Sequence, residues 1–359
     1  METAQRLIFL SQSIPEATSR DAQLLRLLQS RVSVEVLCYL SRAYQTPFVV
    51  SMFSRRRGLF TKHSKAMVRA LEERAAPGRL LWVSGSEMAD YIPLAKALGY
   101  RIVREERNLD FLRNPLSDAR RRRSEGRFCR YSDWLVAASD LDATRLARIA
   151  PDAPIHVIPH SVACTEYAPV RARVGTDLYF NGALDLPAQA EGLEWFIAEV
   201  LPRLRGALGP RLPRITVSGR NPSAGLLSLL EANGVRVVPQ PGYSDPEAAA
   251  RLLSEALIVF VPSRAAAETR GPILQAMAAG RPVVCTGRAS EGLVLAPTYD
   301  VWIADHADAF AGAILRLIDN SALREQISAR AIETVQKHYD WQGVGARLDE
   351  LLRKLGEVQ

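Results

Sequence analysis

The chain has 359 residues, 48% of them hydrophobic and 24% charged. At roughly 100–200 residues per domain this length predicts two domains, and the composition excludes a disordered, collagenous or coiled-coil chain. No apolar run approaches the roughly 20 residues that span a bilayer, and Leu7-Ile8-Phe9-Leu10 is too short for the apolar core of a secretory signal. A cytoplasmic protein is expected, peripheral at most on the inner face of a membrane.

The four cysteines, Cys38, Cys129, Cys164 and Cys285, are far apart in the chain. They form no zinc-type pair and suit reduced, buried thiols in a reducing compartment. The net charge of +7 is unevenly spread: residues 1–170 hold 26 basic against 18 acidic residues, residues 171–359 hold 20 against 21. A basic first half points to an anionic partner: a phosphorylated substrate, an anionic lipid surface or nucleic acid. Arg55-Arg56-Arg57 and Arg120-Arg121-Arg122-Arg123 stand out, although 41 of the 46 basic residues are arginine, a bias that can inflate such runs. No helix-turn-helix, zinc or aromatic-basic signature accompanies them, so nucleic acid is the least supported partner.

In chain order the first half reads as strand Leu7–Leu10, helix Ala22–Leu28, strand Val34–Leu40, helix Met67–Glu73, strand Leu80–Val83 and helix Asp90–Leu98. Strand Ile102–Val103, strand Trp134–Ala137, helix Asp140–Ile149 and strand Ile155–Ile158 follow. The second half reads as strands Leu178–Phe180, Ile215–Val217, Val235–Val238, Ile258–Pro262, Val283–Cys285 and Trp302–Ala304. Between and after them come helices Gly192–Arg205, Ala224–Glu231, Pro246–Ser254, Gly271–Ala279, Ala307–Asp319 and Ala322–His338. Strands alternating with helices imply parallel crossover units. The pattern breaks near Tyr167–Thr176, so the expected domains are residues 1–170 and 171–340, with a C-terminal helix over 341–359. The fold class expected is α/β, two Rossmann-like domains facing across a cleft, with ligands outside the carboxyl ends of the strands.

Two loops carry chemistry. In Val217-Ser218-Gly219-Arg220-Asn221-Pro222 an apolar strand ends at a glycine that lets a phosphate approach the backbone, and a helix start follows. Arg220 adds a cation with fork geometry. In Phe260 to Val284 a strand delivers a loop, Ala266-Ala267-Glu268-Thr269-Arg270-Gly271, that opens a helix with Pro272 near its start and Gly280 at its end. Such an N-terminus stabilises an anion by about 0.3–1 kcal/mol at exposed sites and up to ~2 when partly buried. Arg270 beside it suits charge-assisted hydrogen bonds to a diphosphate. Trp195 and Phe196, spaced with Leu193 and Val200, fit a buried helix face better than a sugar platform. The five histidines show no metal-ligand spacing, and only His160, after Pro159, sits where a cleft is expected.

Pro262-Ser263, the loop through Glu268-Thr269-Arg270, and Leu274-Gln275-Ala276-Met277-Ala278-Ala279-Gly280-Arg281-Pro282-Val283-Val284 resemble the donor-site signature of family-4 glycosyltransferases with the GT-B fold. Tyr179 to Asp185 with Trp195-Phe196, Gly219-Arg220-Asn221-Pro222 and His338-Tyr339-Asp340-Trp341 resemble further stretches of that family. Glu105 to Asp110, Arg127 to Asp133 with Ser139-Asp140, and Val157 to Val162 do so more loosely. The resemblance implies a retaining, metal-independent transfer of a sugar from a nucleotide diphosphate sugar, which is substrate rather than cofactor. The implied acceptor is a hydroxyl of a polysaccharide, a lipid-linked or phosphorylated molecule or another glycan. It casts Arg270 and Glu268 as catalytic, and Arg220, Gly219, Asn221, Thr269, Gly271 and Gln275 as donor-binding. Arg107, Asn108 and His160 are acceptor-side candidates, and the basic first half, the acceptor side in this family, is expected to meet a phosphorylated acceptor or an anionic membrane surface.

The chain departs from the family pattern in four places. Gln275 stands where a carboxylate holds the ribose hydroxyls, and Ala267 stands eight residues before it, with Glu268 one place off. No glycine turn follows the first strand in Ser11 to Glu16. Arg107 replaces a histidine, and His160-Ser161-Val162-Ala163 replaces Asn-Gly-Val-Asp. These changes point to a changed donor or a catalytically silent binding or scaffolding protein, and a nucleotide-sugar epimerase on the same fold stays open because fold does not dictate function.

Overall fold

A computed structural model describes residues 7–12, 20–38, 48–50, 62–106, 126–239, 246–264 and 270–357. They divide into two compact units, Met1–Pro159 with Gly345–Gln359, and His160–Val344. The first unit thus ends earlier than 170, and the C-terminal helix, Trp341–Leu355, is no appendage. Hydrogen bonding accounts for both differences. Val162 N donates to Tyr339 O (2.9 Å), Trp341 N to Val162 O (3.2 Å) and Cys164 N to Asp340 Oδ1 (3.2 Å), which ties residues 162–164 to the end of the second unit. The rest of the last helix is fastened to the first unit through the Arg31–Asp349 ion pair, Arg101 Nη1 donating to Leu355 O (2.9 Å), and His156 Nε2 at 2.7 Å from Arg347 O.

The strands of the first unit are β1 (Leu7–Ser11), β2 (Val34–Cys38), β3 (Phe48–Val50), β4 (Lys62–Ser64), β5 (Leu80–Ser84), β6 (Arg101–Glu106), β7 (Trp134–Ala137) and β8 (Ile155–Val157). Six form a parallel sheet in the order β2-β1-β5-β6-β7-β8, while β3 and β4, absent from the sequence expectation, pair antiparallel by themselves. Helices cover both faces, which is why Leu7-Ile8-Phe9-Leu10 and Leu80-Leu81-Trp82-Val83 run apolar without alternation and lie wholly buried.

The second unit has strands β9 (Asp177–Ala183), β10 (Ile215–Arg220), β11 (Arg236–Pro239), β12 (Ala256–Val261), β13 (Val283–Cys285) and β14 (Trp302–Ile303). They form a parallel sheet ordered β11-β10-β9-β12-β13-β14. This is the doubly wound order: the chain winds outward from β9 to β11, returns to β12, and winds outward the other way. Alternate residues of β9 serve the two faces. Leu178 and Phe180 pack with the helix over 187–208 and the helix Ala307–Asp319, whereas Tyr179 packs with the helices Arg270–Ala278 and Ser321–Tyr339. Phe196 stacks on Phe260 with ring centroids 4.2 Å apart, and Trp195 meets Phe310 edge-on at 5.5 Å, so both belong to the core as expected. All four cysteines are buried thiols outside any disulfide.

Candidate functional site

The return of the chain from β11 to β12 creates a topological switch point between β9 and β12. In open α/β sheets ligands bind outside the carboxyl ends of the strands at such a point, because the connections on either side leave in opposite directions and open a crevice. The local residues are Asn181, Gly182 and Ala183 from β9, Ser218 and Gly219 from β10, Pro262 and Ser263 after β12, and the start of the helix Arg270–Ala278.

Close backbone approach builds this edge. Gly182 and Gly219 lie side by side in register. A Cβ at Gly219 would sit 2.2 Å from Leu184 Cγ, so a buried leucine fills the space the sequence reading reserved for phosphate approach. A Cβ at Gly182 would sit 2.0 Å from the Gln189 side-chain oxygen. Gly192, one turn into the helix after β9, meets Pro262 O and Ser263 Cα at 2.9 Å from where its Cβ would stand. The helix over 187–208 is therefore pressed onto the end of β12, and Ser263 Oγ donates to Ala188 O at 3.2 Å. Thr286, after β13, donates from its hydroxyl to Ser263 O, which fixes the same turn from the other side.

Arg270 is the first residue of its helix and is buried. Its Nε donates to Glu291 O at 2.8 Å, joining the helix start to the loop after β13 and fixing the plane of the guanidinium. The helix is buried at Arg270, Ile273, Leu274, Ala276, Met277 and Ala278. Gly271, Pro272 and Gln275 form its half-buried strip. A Cβ on Gly271 would meet nothing within 4 Å. One turn later on the same strip, Gln275 accepts a hydrogen bond at Oε1 from Asn181 Nδ2 at 3.4 Å. The structure thus brings Arg270, Gly271 and Gln275 together and adds Asn181 and Ser263.

The remaining expected residues are less well tied to this edge or are not described. Arg220 ends β10, and the left-handed Asn221 (φ 47°) follows, exposed at the surface. The helix beyond begins at Ala224 with Ser223 capping it, so part of its N-terminal hydrogen-bonding capacity is already used. His160 is half-buried at the first position of the second unit. Glu268, Thr269, Arg107 and Asn108, and the side chain of Arg220, lie outside the described residues.

Sequence reasoning missed a second polar edge at the corresponding switch point of the first unit, between β1 and β5. Ser84 Oγ lies 2.9 Å from Asp21 Oδ1 and 3.0 Å from Glu105 Oε2, all three residues being buried. On the opposite face of β6, Arg104 and Glu106 form a buried ion pair, with the guanidinium 5.9 Å from the centroid of Phe128. The acidic pair Glu105-Glu106 was legible, its division between two faces only through the register of β6. Burial pushes the thiols of Cys164 and Cys285 up to about 12, in Cys164 with help from a hydrogen bond to Asp340. Among the described residues no group of three His, Cys, Asp or Glu is arranged to hold a metal ion.

Comparison with known proteins agrees with this architecture. Residues 175–320 match the family model of glycosyl transferases group 1. No curated protein sequence matches the chain. Among solved structures, sucrose-phosphate synthase from Thermosynechococcus elongatus superimposes with a TM-score of 0.73 at 15% identity, covering 98% of this chain and 99% of that one. HepE of Anabaena in complex with UDP-glucose gives 0.72 at 13% identity, covering 97% and 99%. α,α-Trehalose 6-phosphate synthase from Burkholderia multivorans gives 0.68 at 13% identity, covering 98% and 99%. Residues 175–320 of the second unit are thus similar to group 1 glycosyl transferases, and the two Rossmann-like units have the GT-B fold.

Proposed function

We propose that the protein is a retaining glycosyltransferase that moves a sugar from a nucleotide diphosphate sugar to a hydroxyl of a glycan, phosphorylated or lipid-linked acceptor, using no metal ion. One observation carries this reading: the switch point between β9 and β12 lies beside the helix that starts at the buried Arg270 and is linked to it through the Asn181–Gln275 hydrogen bond. Bond cleavage leaves negative charge on the diphosphate. The N–H groups of a helix start and an arginine supply compensating charge without reorganising during the reaction. The Nε bond to Glu291 O holds Arg270 in place for that task, and Arg220 is the second candidate cation. Glu268 is proposed to face the sugar, with Thr269 and Gly271 beside the diphosphate, while Arg107, Asn108 and His160 are proposed on the acceptor side. The solved structure of HepE holds UDP-glucose, and another neighbour, TarM, was solved with UDP, α-GlcNAc-glycerol and fondaparinux, which supports nucleotide-sugar and glycan ligands here.

The basic first half suits an acceptor on an anionic membrane surface, where each Lys or Arg contributes about 1 kcal/mol. No described helix is long and apolar enough to cross a membrane. A second reading, a binding protein that has lost turnover, is favoured by Gln275, whose amide carries no charge.

A thermal-shift panel of UDP, GDP, ADP and TDP with their sugar conjugates tests the proposal. At a hundredfold excess over Kd a ligand stabilises by about 2.7 kcal/mol, so a melting shift of several degrees is expected with one base series. No shift with any of them refutes the reading. A shift without sugar transfer or hydrolysis of the conjugate supports the silent alternative.

A further inference from the structure

We propose that Thr286, the first residue after β13, is a positioning residue. It locks the turn that carries Glu291 to the exit of β12 and, through the Glu291 carbonyl, holds the Arg270 guanidinium in place for the diphosphate. The inference rests on reading the β9–β12 edge as the nucleoside diphosphate site. It makes the aim of Arg270 depend on a side chain of the neighbouring turn, outside the Arg270–Ala278 helix.

Thr286 is buried, and each of its polar groups is used. Its N–H donates to Val261 O at 3.2 Å, which carries the β12–β13 pairing one residue past the strand end. Its hydroxyl donates to Ser263 O and accepts from Ala289 N at 3.1 Å. Its carbonyl accepts from Ser290 N at 3.2 Å and from Ser290 Oγ at 3.3 Å. A hydroxyl has one proton and two lone pairs, so this one side chain ties the turn after β12 to the turn after β13. Ser263 is buried as well, so water does not replace the bond when the hydroxyl is removed.

From this foot the chain turns outward. Ala289 and Ser290 are buried, and after them no residue is buried until Asp300. Glu291 lies one position beyond the buried foot, and its carbonyl accepts from Arg270 Nε at 2.8 Å. Gly287 N donates to Asp305 Oδ1 at 2.8 Å, a second anchor that pins the same turn to the residues after β14. Val294 N, bonded to Tyr339 Oη at 2.6 Å, fixes the far side of Glu291. The acceptor that sets the guanidinium plane is thus placed by the bonds of this turn. Hydrogen bonds weaken steeply as their angle departs from linear, and one to a charged group is worth roughly ten- to a hundredfold in affinity. A turn that loses its Thr286 anchor forfeits part of that factor.

The test measures Kd by calorimetry for UDP, GDP, ADP and TDP on wild type, Thr286→Val, Thr286→Ser, Arg270→Ala and the Thr286→Val/Arg270→Ala double variant. Valine keeps the shape of threonine and removes its hydroxyl; serine keeps the hydroxyl. For the diphosphate that binds, Kd should rise about fivefold or more in Thr286→Val and stay within about twofold in Thr286→Ser. In the Arg270→Ala background Thr286→Val should change Kd by less than about twofold, because the group it positions is gone. A merely structural role of Thr286 predicts the same loss in both backgrounds. Asp305→Ala, at the surface, frees the turn from its second anchor and should raise Kd severalfold, again only with Arg270 present. It carries the test if Thr286→Val does not fold. Wild-type affinity in folded Thr286→Val, or in Asp305→Ala when that variant carries the test, overturns the inference, as does an equal loss in the two backgrounds. If a diphosphate binds, Arg270→Ala weakens it and these comparisons fail, only this inference falls. If none binds, or Arg270→Ala binds as tightly as wild type, the functional reading falls with it.

Discussion

Two glycines of one helix should respond to alanine with opposite signs. In the helix over 187–208, Gly206 is exposed and a Cβ there would meet nothing within 4 Å. Gly206→Ala only removes the entropic cost of a helical glycine and should stabilise by about 0.5–1 kcal/mol. Gly192 is pressed against backbone: its Cβ would stand 2.9 Å from both Pro262 O and Ser263 Cα. Non-bonded carbons settle at about 3.5–4.0 Å, so the helix or the turn after β12 must yield by roughly half an ångström or more. Overpacking of this kind typically costs about 1–3 kcal/mol. A change of 1 kcal/mol moves the melting point of a unit this size by about 2–4 °C. Gly192→Ala should therefore melt several degrees below wild type and Gly206→Ala slightly above it. The displaced turn carries Ser263 at the switch point, so Gly192→Ala should also weaken nucleotide binding and Gly206→Ala should not. Scanning calorimetry with and without ligand reads both effects. If Gly192→Ala is as stable as Gly206→Ala, the close seating of the helix on β12 is wrong.

Phe196→Ala removes the ring stacked on Phe260 and should cost about 3–5 kcal/mol in denaturant unfolding, against near-neutrality for an exposed apolar substitution such as Val294→Ala. Glu106→Gln deprives the buried Arg104 of its counter-charge and should cost about 3–5 kcal/mol, measured by the same unfolding curves. The raised Cys164 and Cys285 thiols stay protonated in the native state up to about 12, whereas in the unfolded chain they ionise from about 9. Their contribution to stability is complete below pH 9 and is lost as pH rises towards 12, so the melting point should fall over that window and fall less in Cys285→Ala. Arg270→Lys keeps the charge but loses the planar fork that holds Glu291 O, and steady-state kinetics on the nucleotide sugar found in the panel should show a loss of tenfold or more in kcat/KM.

How much of this was legible in the sequence differs from element to element. The helices Asp140–Ile149 and Ala307–Asp319 and the strands Trp134–Ala137 and Val283–Cys285 appear at the expected residues. Their ends are written locally: Ser139 caps the first helix, and Gly280 and Pro282 bracket the entry to β13. The helix after β9 starts five positions earlier than expected, at Pro187, because Ala188-Gln189-Ala190 offers little apolar periodicity and burial there follows from packing on β12. The β3–β4 pair escaped notice because three-residue strands carry no measurable alternation. At the site, Arg270, Gly271 and Gln275 could be found because they occupy one short stretch. Asn181 lies 94 residues from Gln275. Gly219 was explicable only once Leu184 was seen folded over it. Both relations depend on which strands are neighbours, and local patterning does not encode that.

The central claim is that the edge between β9 and β12 holds a diphosphate at the start of the Arg270–Ala278 helix. A crystal structure of the protein with a nucleoside diphosphate tests it most directly. The account predicts phosphate oxygens within hydrogen-bonding distance of the Arg270 guanidinium and the first backbone N–H groups of that helix, with the ribose beside Gln275. A nucleotide bound elsewhere, with Arg270 turned away from it, would contradict the account.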